Sequence, residues 1–147
     1  MDDTVKILNE LIATSEDGLR GFSDAADRAT QPRLKEVLFA RAQDCDQSLR
    51  ELQSLVIALG GEPEQSGSLA GAAHRGWTRI KAAVGDSNVA VLEEVERGED
   101  HAKARYARAL KADLPPPARQ LIEKQYQGVI ANHDRIRDLR QQYRAAA

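Results

Sequence analysis

Residues 92–110 read Leu-Glu-Glu-Val-Glu-Arg-Gly-Glu-Asp-His-Ala-Lys-Ala-Arg-Tyr-Ala-Arg-Ala-Leu. Leu92, Glu96, Glu99, Ala102, Tyr106 and Leu110 recur in steps of three and four, the spacing of one face of an α-helix. That face would turn toward a core, and two of its positions are carboxylates. A buried carboxylate costs roughly several kcal/mol unless it is paired, hydrogen-bonded or bound to a metal. The pair therefore asks for partners from other helices.

Working outward, the rest of the chain supplies those helices. From Asp3 to about Ala29, apolar residues fall at Val5, Leu8, Ile12, Leu19, Phe22 and Ala26, with Leu11 and Ala25 widening the stripe. Thr30, Gln31 and Pro32 interrupt it, and proline suits the first turn of a second helix, where its missing N–H has no intrahelical partner. That helix runs to Leu59 along Leu34, Leu38, Ala42, Cys45, Leu49, Leu52 and Val56, and Gly60-Gly61 ends it. Residues 61 to 68 form a loop, after which Ala73, Trp77, Ile80 and Val84 define a short helix within a crossover. Ser87 stands near the N-cap of the third long helix, which continues to about Ala112. Pro115-Pro116-Pro117 ends it and opens a fourth, with Ile122, Val129, His133, Ile136 and Tyr143 on one face and a terminal alanine tail expected to fray.

Two short turns and one long crossover predict an all-α fold: a ferritin-like four-helix bundle of two antiparallel hairpins, in a single domain over residues 1–147. The chain carries 21 Lys and Arg against 23 Asp and Glu, a net charge of −2, which argues against a nucleic-acid partner. No window of about 18 apolar residues occurs, so no membrane partner is expected, and the acidic start is unlike a secretion signal. A cytoplasmic protein is the expectation. Cys45 is alone and reads as an inert buried thiol.

Pairing residues across the turns brings Glu16 level with Cys45 and Asp46, and Glu96 and Glu99 level with Val129 and Asn132. Glu16, Glu96, Glu99 and His133 then share one middle layer. Carboxylates with an imidazole are a donor set for iron, another divalent ion such as manganese, or zinc. A di-metal bundle uses a Glu from two helices and Glu-x-x-His from the other two, yet Ile130 stands three residues before His133. The competing reading is a buried polar network in which His133 hydrogen-bonds Glu99 or Glu96 and fixes the helix register. Glu99→Gln would ruin a metal site but be tolerated where the carboxyl is protonated. Mid-helix Gly18, Gly21, Gly98 and Gly128 point to close backbone approach, or to side chains such as Trp77 docking against them. His101 is expected on the exposed flank. His74-Arg75-Gly76-Trp77 reads as capping and packing rather than as an anion or ring site. Hydrolase, phosphate-loop, dinucleotide and zinc-protease motifs are absent, and any enzyme activity stays open.

Asp17-Gly18, Gly21-Phe22, Leu59-Gly60-Gly61, Ser66-Gly67, His74-Arg75-Gly76-Trp77, Glu96-Arg97-Gly98-Glu99-Asp100, Asp113-Leu114-Pro115 and Asn132-His133-Asp134 occur in this order. Together they resemble a bacterial ferritin-like family catalogued as a domain of unknown function, over nearly the whole chain. The resemblance implies the bundle and a bacterial cytoplasmic origin. Relatives in the wider superfamily bind two metals and reduce oxygen or peroxide, or store iron. Two functions follow as alternatives: a structural, interaction or stress-related module, a homo-oligomer such as a dimer, or a degenerate metal-binding protein with oxidase activity.

Overall fold

The computed structural model describes residues 2–64 and 87–146, the side chains of Asp2 and Ser87 excepted. The expected short helix at 73–84, with Trp77 and His74, lies outside the described residues. Four helices make up the described part: α1 (Asp2–Arg28), α2 (Pro32–Ala58), α3 (Ser87–Ala109) and α4 (Pro116–Ala146). The all-α expectation holds, with each apolar stripe turned inward. Two boundaries differ from the reading of the sequence. Helix α3 stops at Ala109, because Lys111 and Ala112 donate to the carbonyls of Arg108 and Ala109 in a tightened last turn. Helix α4 continues through the alanine tail to Ala146, as alanine's helix propensity favours.

The ends are tied by named contacts. The Lys35 ammonium donates to Ala26 O at 2.7 Å and closes the C-terminus of α1. Arg119 does the same for α3, reaching Ala112 O at 2.7 Å and Leu110 O at 3.2 Å. Beyond α2, Gly60 takes the left-handed φ of 82° that a residue with a Cβ rarely adopts. Asn9 then holds the outgoing chain, accepting from Glu64 N at 2.8 Å.

Topology follows from one pair of hydrogen bonds. In the α1–α2 turn, Thr30 N donates to Asn88 Oδ1 and Asn88 Nδ2 donates to Thr30 Oγ1, both at 2.9 Å. Helix α3 therefore begins beside the turn where α2 also begins. Its predecessor ends at the opposite pole, so the connection joins opposite ends of the bundle, as a ferritin-like crossover does. Helix α1 packs beside α2 and α3, and α4 beside α3 and α2. Helices α2 and α3 thus run parallel on a diagonal.

The apolar core is divided. One cluster centres on Phe22, Leu34, Leu38, Leu92 and Ile136, the other on Leu8, Ile12, Leu52, Tyr106 and Ile122. Between them lie buried polar residues, among them Ser15, Asp17 and Glu99. The division reflects the sequence of α1, where Thr14, Ser15 and Asp17 interrupt the stripe between Ile12 and Phe22.

Gly18 shows why a glycine stands mid-helix: a Cβ there would meet Cys45 Sγ at 2.7 Å but Cys45 Cβ at 3.6 Å. At Gly128, by contrast, a Cβ would enter open space, so close approach does not explain that glycine. Gly18→Ala should lower stability by about 1–3 kcal/mol through overpacking against the thiol. In a Cys45→Ala background the same change should stabilise by up to about 1 kcal/mol, since only helix propensity is left to act. Denaturant melts of the four proteins read this reversal of sign.

Candidate functional site

The polar layer is built from one residue outward. Glu99 sits on the inward face of α3, flanked by Val95 and Tyr106, and is 2% exposed. From the diagonal helix α2, Arg41 places Nη2 at 3.4 Å from Glu99 Oε1. Arg41 stands on the α2 stripe between Leu38 and Cys45, and its guanidinium lies 5.7 Å from the Phe22 ring centroid, within cation–π range. Its Nε and the second Glu99 oxygen have no hydrogen-bond partner. The Asn132 amide on α4 faces Glu99 and favours its charged form, though its alignment falls short of a full hydrogen bond.

Burial pushes the Glu99 carboxyl above the ordinary carboxylate range, opposed first by the Arg41 charge and then by Asn132 and, more weakly, His133. Arg41 does not lose its proton in a protein, so the positive partner is permanent. Burial also drives the Cys45 thiol up to about 12, which keeps it protonated and a poor nucleophile or metal ligand. Tyr106 is pushed up for the same reason, and its hydroxyl donates to Gln125 Oε1 at 2.7 Å. Gln125 in turn donates to Ser48 O and Glu51 Oε1, each at 3.2 Å. A cavity of about 30 Å³ adjoins the pair, lined by Ser15, Asp17, Arg41, Cys45, Glu99 and Arg105 among others. That space is large enough for about two waters.

The four residues expected to form one layer take separate partners. Glu16 pairs with Arg20 one turn along α1, at 2.6 Å. Glu96 pairs with Arg140 of α4, both side chains 18% exposed, so it lies at the bundle's rim and not in its centre. His133 Nε2 lies 2.5 Å from Asp100 Oδ1, and its Nδ1 lies 3.4 Å from Asp134. The expected hydrogen bond from His133 to Glu99 or Glu96 is therefore replaced by one to Asp100. Only Glu99 occupies the core. Among the described residues, no group of three or more His, Cys, Asp or Glu side chains is placed to hold a metal ion. Among the described residues, the donor set does not fit the di-metal centre of metal-binding bundles, because a guanidinium stands beside Glu99.

His101, expected on an exposed flank, is half-buried and lines the cavity. Arg41, Asp100 and Gln125 were not singled out from the sequence. Arg41 carried a signal nonetheless: it falls in the three-and-four stripe of Leu34, Leu38, Cys45 and Leu52, where a lone cation implies a buried anion. Asp100 carried none, since its partner depends on how α3 faces α4.

The family profile "Domain of unknown function (DUF2383)" matches residues 3–112. The chain belongs to this family. Beyond the DUF2383 match, a two-domain protein from Anabaena variabilis, containing DJ-1/ThiJ/PfpI-like and ferritin-like domains, has a similar fold in its crystal structure. The TM-score is 0.80 at 12% sequence identity, over 99% of this chain and 38% of that one. The likeness establishes the ferritin-like fold for this DUF2383 chain, which spans well under half the length of that relative. No curated protein matches it. Among the described residues, no helix of the DUF2383 chain is long and apolar enough to cross a membrane.

Removing one partner of the central pair leaves a buried charge without compensation. Arg41→Met should cost about 3–5 kcal/mol near neutral pH, and adding Glu99→Leu should recover most of that loss, whereas Glu99→Gln, which mimics the protonated carboxyl the fold favours, should cost much less than Arg41→Met. Because the folded state holds the Glu99 proton more tightly than the unfolded chain, its contribution is complete at acid pH. It falls as pH rises from the ordinary carboxylate value, about 4.3, through the raised one. Arg41→Met raises that value further, so its melting temperature should fall more steeply than wild type between about pH 5 and pH 8. Thermal melts across that range check both the coupling and the slope.

Proposed function

We propose that this chain is a structural or interaction module of the bacterial cytoplasm, one domain over residues 1–147, whose ferritin-like bundle is held by an internal ion pair in place of a metal. The supporting observation is the Arg41–Glu99 contact at 3.4 Å, made across the bundle's diagonal. Metal-binding bundles put inward carboxylates and histidines from all four helices at this level, and the cations neutralise them. Here a guanidinium supplies the positive charge. Asp100 and Asp134 engage His133, and Arg140 engages Glu96.

Protein purified without chelator should contain far less than one equivalent of iron, manganese or zinc. Its melting temperature should not respond to added Fe²⁺, Mn²⁺ or Zn²⁺, since any ion bound only to the native state raises stability by mass action. A stoichiometric ion that is lost in Glu99→Gln or His133→Ala would sink the proposal.

A further inference from the structure

The outer face of α2 leaves two large apolar side chains in solvent: Phe39 is 56% exposed and Ile57 63% exposed. Eighteen positions apart, they complete five helical turns and stand on one edge of the helix. Between them Gln43, Asp46, Arg50 and Gln53 continue that edge in alternating steps of four and three, the spacing of a helix–helix seam. Its charged members, Asp46 at 39% and Arg50 at 75% side-chain exposure, pair with each other one turn apart at 3.1 Å.

The six residues are self-complementary. Laid antiparallel against a second copy with the two-fold axis at residue 48, Phe39 faces Ile57, Gln43 faces Gln53 and Asp46 faces Arg50, each twice. Every class of side chain finds its match: apolar with apolar at both ends, amide with amide inside them, opposite charges at the centre. A parallel pairing would instead set Asp46 against Asp46 and Arg50 against Arg50. Beside the seam, Ala40, Gln47, Ser54 and Ala58 are exposed and uncharged, and Glu36, also exposed, falls level with Gly60 of the second copy. The net charge of −2 per chain adds little repulsion.

We propose that this face of α2 is the interface with a second copy of the chain, in an isologous antiparallel dimer centred on residue 48. It deepens the reading of the chain as an interaction module by naming a partner. It does not rest on the metal-free core, which metal content tests separately.

Native mass spectrometry and light scattering at about 100 μM, where a dimer with a Kd near 10 μM is largely formed, should give twice the 16.2 kDa monomer mass. Phe39→Glu and Ile57→Glu should each weaken the dimer at least about tenfold without lowering the melting temperature measured at about 1 μM, where the chain is monomeric, because both side chains are solvent-exposed. Asp46→Arg should dissociate it by opposing two arginines across the axis, and adding Arg50→Asp should restore it. For the register, Gln43→Cys and Gln53→Cys variants should form an interchain disulfide when mixed, but not separately. Identical positions would lie about 15 Å apart, beyond the reach of a disulfide. A monomer at this concentration, a dimer indifferent to Phe39→Glu and Ile57→Glu, or equal cross-linking of each variant alone would overturn the interface.

Discussion

The ion pair between Arg41 and Glu99 is the constraint on which the rest of the bundle's centre is organised. It joins α2 and α3, which sit diagonally and share few other contacts. Each charge has left water, so neither is tolerable there alone. The two apolar clusters part near the level of Glu99, and the residues of α1 admitted there are polar or small. Ser15, Asp17 and Gly18 belong to that compromise, and so does the small cavity.

The arrangement explains how a ferritin-like fold can keep a carboxylate at its middle without the rest of a metal centre. A buried carboxylate needs charge neutralisation, and the Arg41 guanidinium places a permanent positive charge beside Glu99. The flanking acidic residues are then released to the rim. Glu96 binds Arg140 and Asp100 binds His133, both tying α3 to α4 in half-exposed positions. Such pairs contribute little each in high dielectric, but they set how two neighbouring helices face one another.

Much of the fold was legible in the sequence because its punctuation agrees with its periodicity. Pro32, Gly60-Gly61 and the proline run at 115–117 all fall where the stripes stop, and the bundle follows from them. The site was legible only in part. Glu99 could be found because a carboxylate on an apolar stripe is conspicuous. Glu96 lies on the same stripe, yet the stripe is wider than the buried line, and the tilt of α3 against α4 leaves it at the rim. Likewise, levelling residues across a turn gives height along the bundle but not rotation about each helix axis. His133 lies near Glu99 but is turned toward Asp100 instead of the centre. Arg41 is the hardest residue to read, because cations are usually solvated even where they fall on a stripe of leucines.

The clasp between Thr30 and Asn88 has a consequence for the order of assembly. Its two hydrogen bonds join residues 58 positions apart, whereas the α1–α2 hairpin closes through a turn of three residues. Contacts between distant parts of a chain must overcome loop-closure entropy before they contribute, and local ones need not. The first hairpin can therefore form before α3 arrives, presenting its turn as a ready dock for Asn88. Docking there fixes one end of α3 while its other end is still free. Rotation about that fixed end then brings Glu99 under Arg41, so the most costly contact in the core is made by a helix that has already lost most of its freedom to miss.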